Sequence, residues 1–205
     1  WGLIHRGEMR AQPGMPENRG GTLEIVLQQP SIDPPFFDFG APRTIKLLAN
    51  GTAQPSLGFG AEDPVPGQNY AIAAFAPSAF AQGFDALRAQ TPGLGLIELD
   101  SGLSLDLRRS ISLDTPTIAV LGQGKSELSA AYLALRNSSV VAATPTPGDA
   151  RLQLNATSID IIGDVALSGL RAAGLNASED VQLRGSQITG KEKLQGSLNI
   201  AGDLD

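Results

Sequence analysis

Three observations predict an all-β protein wound as a right-handed parallel β-helix. The first is a succession of short apolar alternations, such as Leu103-Ser104-Leu105-Asp106-Leu107 and Ile111-Ser112-Leu113, broken by turn residues every dozen positions or fewer. That is the pattern of strands buried on one face. The second is a phrase that occurs three times, at Ile159-Asp160-Ile161-Ile162-Gly163-Asp164-Val165, Leu175-Asn176-Ala177-Ser178-Glu179-Asp180-Val181 and Leu198-Asn199-Ile200-Ala201-Gly202-Asp203-Leu204. Its ragged period of about 20 residues lies in the range of stacked repeats. The third is the scarcity of hairpin signals, with Asn-Gly only at Asn50-Gly51. A sandwich or jelly roll is the rival all-β arrangement. The recurring phrase and the matching aliphatic positions, which would stack as ladders, favour the helix.

Composition sets limits on both fold and function. At 205 residues and 41% hydrophobic content the chain can bury one substantial core, and with only 5% aromatics that core must be aliphatic. A net charge of -6 gives no basic footprint for nucleic acid. With no cysteine, disulfides, thiolate metal sites and cysteine nucleophiles are excluded. No apolar run approaches the roughly 18 residues of a membrane span.

Taken in order, residues 1–21 read as an irregular lead-in with one short rung at Gly2 to Ile4. Thr22 to Leu27 is the first clear strand, with Leu23, Ile25 and Leu27 on one face. Pro30, Pro34 and Pro35 end it, and Ile45, Leu47 and Leu48 mark a second strand. Residues 50–70, with Pro55, Gly58, Gly60, Pro64, Pro66 and Gly67, read as a long loop. Ala71 to Ala81 reads as a short helix, limited by Pro77. Gly83 to Arg88 returns to strand.

From Leu94 the rhythm steadies. Three octads follow the form apolar-x-small-x-x-apolar-x-apolar, beginning at Leu113, Leu128 and Leu154. Each reads as strand end, tight corner and strand start, with the small third residue at the inside of the corner. Ala142 to Ala150, with Pro145 and Pro147, reads as a loop between rungs. The expected organisation is 1–49 as lead-in and first rungs, 50–92 as an excursion outside the helix, and 93–205 as regular coils. The chain starts at Trp1, and the rhythm still runs at Asp205, so the coils are expected to continue beyond it.

The runs Gly83-Phe84-Asp85-Ala86-Leu87-Arg88, Gly95-Leu96-Ile97-Glu98-Leu99, Arg109-Ser110-Ile111-Ser112-Leu113-Asp114 and Leu128-Ser129-Ala130-Ala131-Tyr132-Leu133-Ala134-Leu135 resemble bacterial filamentous haemagglutinin family exoproteins. Gly20-Gly21-Thr22-Leu23 and Gly196 to Leu204 are similar to the strand starts and repeat phrase of that family. The resemblance covers most of 20–205. It implies a long, right-handed β-helical protein exported through an outer-membrane secretion partner and displayed at the bacterial cell surface or secreted. It also implies an adhesive role toward a host or neighbouring cell. The family's secretion domain, with its Asn-Pro-Asn type motif, is missing, for no Asn-Pro occurs in the chain. The chain would therefore be shaft rather than export signal.

Candidate sites are few, and no catalytic, cofactor-binding or metal-binding residue is assigned. His5 is the only histidine, so a catalytic triad or a multi-histidine metal site is not available. Asp100, Asp106 and Asp114 are the best acidic cluster, with Asp106 and Asp114 expected on adjacent strands and Arg108 and Arg109 beside them. Such a cluster would serve a polysaccharide lyase or hydrolase, or simply a solvated face. Asp164, Asp180 and Asp203 are expected as corner posts of successive coils, bonding backbone N–H groups at turns, with a Ca²⁺ ladder as the sharper alternative. Lys125 in Gly122-Gln123-Gly124-Lys125-Ser126 mimics the end of a phosphate-binding loop, but the required first glycine is missing, so it reads as a turn. Sequons at Asn50, Asn137, Asn155 and Asn176 leave asparagine modification open. The Phe group (Phe36, Phe37, Phe39, Phe59, Phe75, Phe80, Phe84) is expected to seal the excursion onto the helix, or to offer a partner or carbohydrate surface. The expected function is a non-catalytic shaft segment of a filamentous adhesin-like protein, the alternative a β-helical carbohydrate-active enzyme. End-to-end self-association is a further expectation, because open coil ends are strand edges.

Overall fold

A computed structural model describes residues 3–4, 11, 20–27, 43–50, 72–76, 83–91, 93, 95–139, 141–188, 191–194 and 196–204. Every element among them is a strand. Two seven-stranded sheets, parallel throughout, carry the fold.

One sheet holds short strands: β1 (Leu3–Ile4), β3 (Thr44–Leu47), β4 (Ile72–Phe75), β6 (Leu96–Asp100), β8 (Thr117–Leu121), β11 (Asp164–Ser168) and β15 (Ser197–Ile200). The other holds mostly longer ones: β2 (Gly21–Val26), β5 (Phe84–Gln90), β7 (Ser104–Asp114), β9 (Lys125–Arg136), β10 (Pro147–Ile162), β12 (Leu170–Arg184) and β16 (Asp203–Leu204). A small antiparallel pair, β13 (Ser186–Ile188) and β14 (Lys191–Leu194), branches off between β12 and β15. From β4 to β9 the chain passes from one sheet to the other at every strand.

The period-two alternation explains why the sheets share one core. In the long-strand sheet Leu23, Leu87, Ile111, Leu133, Ile159 and Val181 occupy one register column. In the short-strand sheet Ala73, Ile45, Ile97, Ile118, Leu167 and Ile200 do the same. Most of these side chains are fully buried. Each buried Leu or Ile contributes about 1.5–3 kcal/mol by leaving water.

Ala130 and Ala156, the third residues of two octads, lie inside the continuous strands β9 and β10, so no strand ends there as the octads lead one to expect; they stack with Leu107 and Ala177 beside the irregularities in strand pairing. The octad starting at Leu113 belongs elsewhere: Leu128 stacks on Leu105, not on Leu113. Thr115, its third residue, lies at the corner between β7 and β8. There Thr91 Oγ1 donates to Thr115 Oγ1 at 2.9 Å, and both residues are buried. A small polar residue fits that corner because its hydroxyl also caps a backbone carbonyl, Thr117 O at 3.2 Å.

Three further differences from the sequence reading have physical causes. Within the stretch expected to be a short helix, Ile72–Phe75 forms strand β4. Flanked by β1 and β3, it is buried over Ala73–Phe75, and a short run apolar at every position suits a strand covered on both faces. The stretch 50–92 is not all excursion, since β4 and β5 are paired members of the two sheets. Of the loop itself, residues 51–71 lie outside the described residues. Finally, the alternation between sheets is broken where β9 is followed by β10 of the same sheet. Residues 137–139 and 141–146 form no strand, and β8 pairs directly with β11. Buried Asn137 holds the bypass: its amide donates to Val141 O at 2.8 Å and Asp164 O at 2.6 Å, while its oxygen accepts from Ser139 N at 3.0 Å and Ser139 Oγ at 2.6 Å.

Candidate functional site

The outer face of the long-strand sheet carries the densest polar arrangement. Positions of one parity along β9, β10 and β12 point away from the core, so Tyr132, Asp160 and Arg184 share a face. They meet diagonally across strands, because Asp160 is in register with Ala134 and Gln182. Tyr132 Oη donates to Asp160 Oδ2 at 2.8 Å, and Arg184 Nη1 lies 3.6 Å from the same oxygen. Asp160 is only 5% exposed, and its carboxylate is compensated by these two partners, as a buried charge must be. Burial pushes the Tyr132 phenol above its ordinary value near 10.0, and the bond to Asp160 adds to the rise. Arg184 also donates to Gln182, which donates to Asp180.

One step along the same strands, amide side chains stack. Asp106, Ser129, Asn155 and Asn176 form one column. Asn155 Nδ2 donates to Glu127 Oε1 at 2.6 Å, and Asn176 Nδ2 to Asn155 Oδ1 at 3.2 Å. At the other end of the sheet, Asp85 accepts from Gly20 N at 2.5 Å and from Arg108 Nη2 at 2.5 Å. The Gly20 backbone bond, foremost, and the Arg108 guanidinium hold its carboxyl below the ordinary range.

The acidic cluster read from sequence does not assemble. Asp106 and Asp114 lie on the same strand, β7, on either side of its bulge. Asp106 stacks on Ser129, and Asp114 accepts from Ser138 N at 2.9 Å and Ser138 Oγ at 3.0 Å. Asp100 accepts from Ala49 N at 3.2 Å. The two arginines turn elsewhere, Arg108 to Asp85 and Arg109 to the Thr22 hydroxyl. An acid–base pair for glycoside hydrolysis needs two carboxylates flanking one bond, whereas Asp106 and Asp114, on one strand, face different partners.

The three aspartates of the repeated phrase also separate. Asp164 is in register with Ser197, Asp180 with Ser158, and Asp203 with Ala172. They are not corner posts of one stack, and they share no ligand position. Asp164 accepts from Ser197 Oγ at 2.5 Å and from the Asn199 amide. Asn137 is consumed by its buried hydrogen bonds, Asn155 and Asn176 stand in the amide column, and Asn50 is exposed. Lys125 opens β9, as a turn-to-strand residue would. Phe75 is core and Phe84 opens β5 half-buried. His5, Phe36, Phe37, Phe39, Phe59 and Phe80 lie outside the described residues.

Sequence reasoning missed the Tyr132–Asp160–Arg184 network. Its signal was Asp160 inside an otherwise apolar run, but the diagonal partners come from 28 residues earlier on β9 and from the end of β12, and only register reveals them. No protein-family model, curated protein or solved structure matches this chain. Among the described residues no helix is long and apolar enough to cross a membrane.

Proposed function

We propose that this chain is a non-catalytic shaft segment of a large, filamentous, adhesin-like protein, wound as a right-handed parallel β-helix and displayed at the bacterial surface or secreted. The observation that carries the reading is the in-register stacking of aliphatic columns through two parallel sheets that the chain visits in alternation. In a solenoid each circuit cannot bury its apolar face alone, and stacking builds a stiff, extendable body. On the outer face Tyr132 bonds Asp160 and Asn176 bonds Asn155 across strands, which suits a scaffold. The resemblance of the repeat runs to filamentous haemagglutinin exoproteins supplies the surface location, the outer-membrane secretion partner and the cell-surface ligand of the full-length protein. The carbohydrate-active enzyme reading draws little support from the separate placement of Asp106 and Asp114. A screen for product release from acidic polysaccharides, with and without Ca²⁺, tests the two: no turnover is expected, and release that Asp106→Asn or Asp114→Asn abolishes would overturn the shaft reading.

A further inference from the structure

A notch interrupts the outer face of the long-strand sheet beside β10. Lys125, Arg151, Ala172 and Asp203 form one outward register column across β9, β10, β12 and β16. The next outward column contains Glu127, Gln153 and Gly174. With no side chain beyond Cβ at Ala172 and none at Gly174, the face steps down next to Arg151 and Gln153. The resulting cavity of about 210 Å³ is lined by Lys125, Arg151, Leu152, Gln153, Ala172 and Gly174.

Two features of this notch are unfavourable when it holds only water. Lys125 and Arg151 are register partners on neighbouring parallel strands, so two like charges stand side by side and repel. Lys125 shares its charge with Glu127, at 3.1 Å, but Arg151 has no ion-pair partner among the described residues. Gln153 lays its amide over Gly174, so closely that a Cβ there would stand 2.7 Å from both Nε2 and Oε1, and Nε2 is buried with no hydrogen-bond partner. A guanidinium fork, an ammonium with spare N–H donors and an unpaired amide donor therefore border one cavity.

We propose that this notch binds a single oxyanionic group, a carboxylate or sulfate, presented by a ligand outside the chain. Arg151 holds it through its planar fork, Lys125 adds the second charge, and the Gln153 amide supplies a neutral donor after a small rotation. Asp203, next in the column beyond Ala172, keeps the anion on the Arg151 side. The site is independent of the shaft reading and would stand if that reading failed.

Chemical-shift titration of the full chain with sodium acetate and, separately, sodium sulfate at constant ionic strength tests it. Saturable shifts are expected at the Gln153 side-chain amide and the backbone of residues 151–153 and 172–174, and the tighter arm identifies the anion. Arg151→Ala removes a charge-assisted contact and should weaken binding about tenfold or more. Ala172→Leu fills the notch without altering charge and should weaken it comparably, whereas Asp203→Asn should strengthen it severalfold. Lys125→Met provides a second charge variant, and thermal melts identify any variant that fails to fold. Non-saturating shifts spread over all surface cations, or an Ala172→Leu protein that folds and binds like the parent, would overturn the proposal.

Discussion

At the residue scale, the chemistry of the outer face follows from burial combined with register. Asp160 sits at a position whose register partner is Ala134, so no long neighbour shields it on that strand, and Tyr132 and Arg184 reach it diagonally. The Tyr132 phenol should ionise above its ordinary value, as read by ultraviolet absorbance during alkaline titration. Asp160→Asn should lower that value but leave it above about 10, because burial remains the larger cause. The sign for stability is that a raised phenol pKa helps folding fully below the unfolded value and is lost as pH climbs through the folded one. Asp85 works in the opposite direction. Its carboxyl is held low by Gly20 and Arg108, so the folded state binds fewer protons than the unfolded one. Its contribution is complete above about pH 4 and disappears as pH falls through the folded value. Melting temperature against pH should therefore decline on the acid side, and Asp85→Asn should flatten that limb.

At the element scale, the corners decide where strands begin and end. Gly169 separates β11 from β12 with φ of 76°, and a Cβ there would stand 2.3 Å from Val120 O. Gly102 has a similar φ of 83° but open space around it. Gly102→Ala should cost about 1–2 kcal/mol from left-handed backbone strain alone. Gly169→Ala should cost clearly more, because the Val120 backbone cannot yield without disturbing β8. Urea unfolding of the two variants separates strain from collision. A core column makes a parallel case: Leu133→Ala, between Ile111 and Ile159, should cost about 2–5 kcal/mol.

These elements also show what the sequence could and could not convey. The strands whose apolar residues alternate on one face, β2 and the two halves of β7, were legible from Leu23 and Ile25 and from Leu105, Leu107, Ile111 and Leu113. β4 was not, since Ile72-Ala73-Ala74-Phe75 has no polar face to set its period. The repeated phrase misled about register for a physical reason. The spacing between register partners varies, with 23 residues from Leu105 to Leu128, 26 on to Leu154 and 21 on to Leu175. Loops absorb those differences without disturbing the columns, so similar words in sequence fall at different corners. Asp164, Asp180 and Asp203 are the result. The polar network at Asp160 was hidden for the same reason.

At the scale of the whole molecule, we propose that strands stacked in register build an extended shaft whose outer face also offers contacts such as the Arg151 notch. The exposed Val181 and Leu183 occupy the same inward columns as buried Ile159 and Ile161. Electron microscopy of the intact protein tests the extended shaft most directly. The shaft proposal predicts a thin, straight rod whose length grows by about 4.8 Å for each circuit in the sequence. A compact globule with no long axis would contradict it.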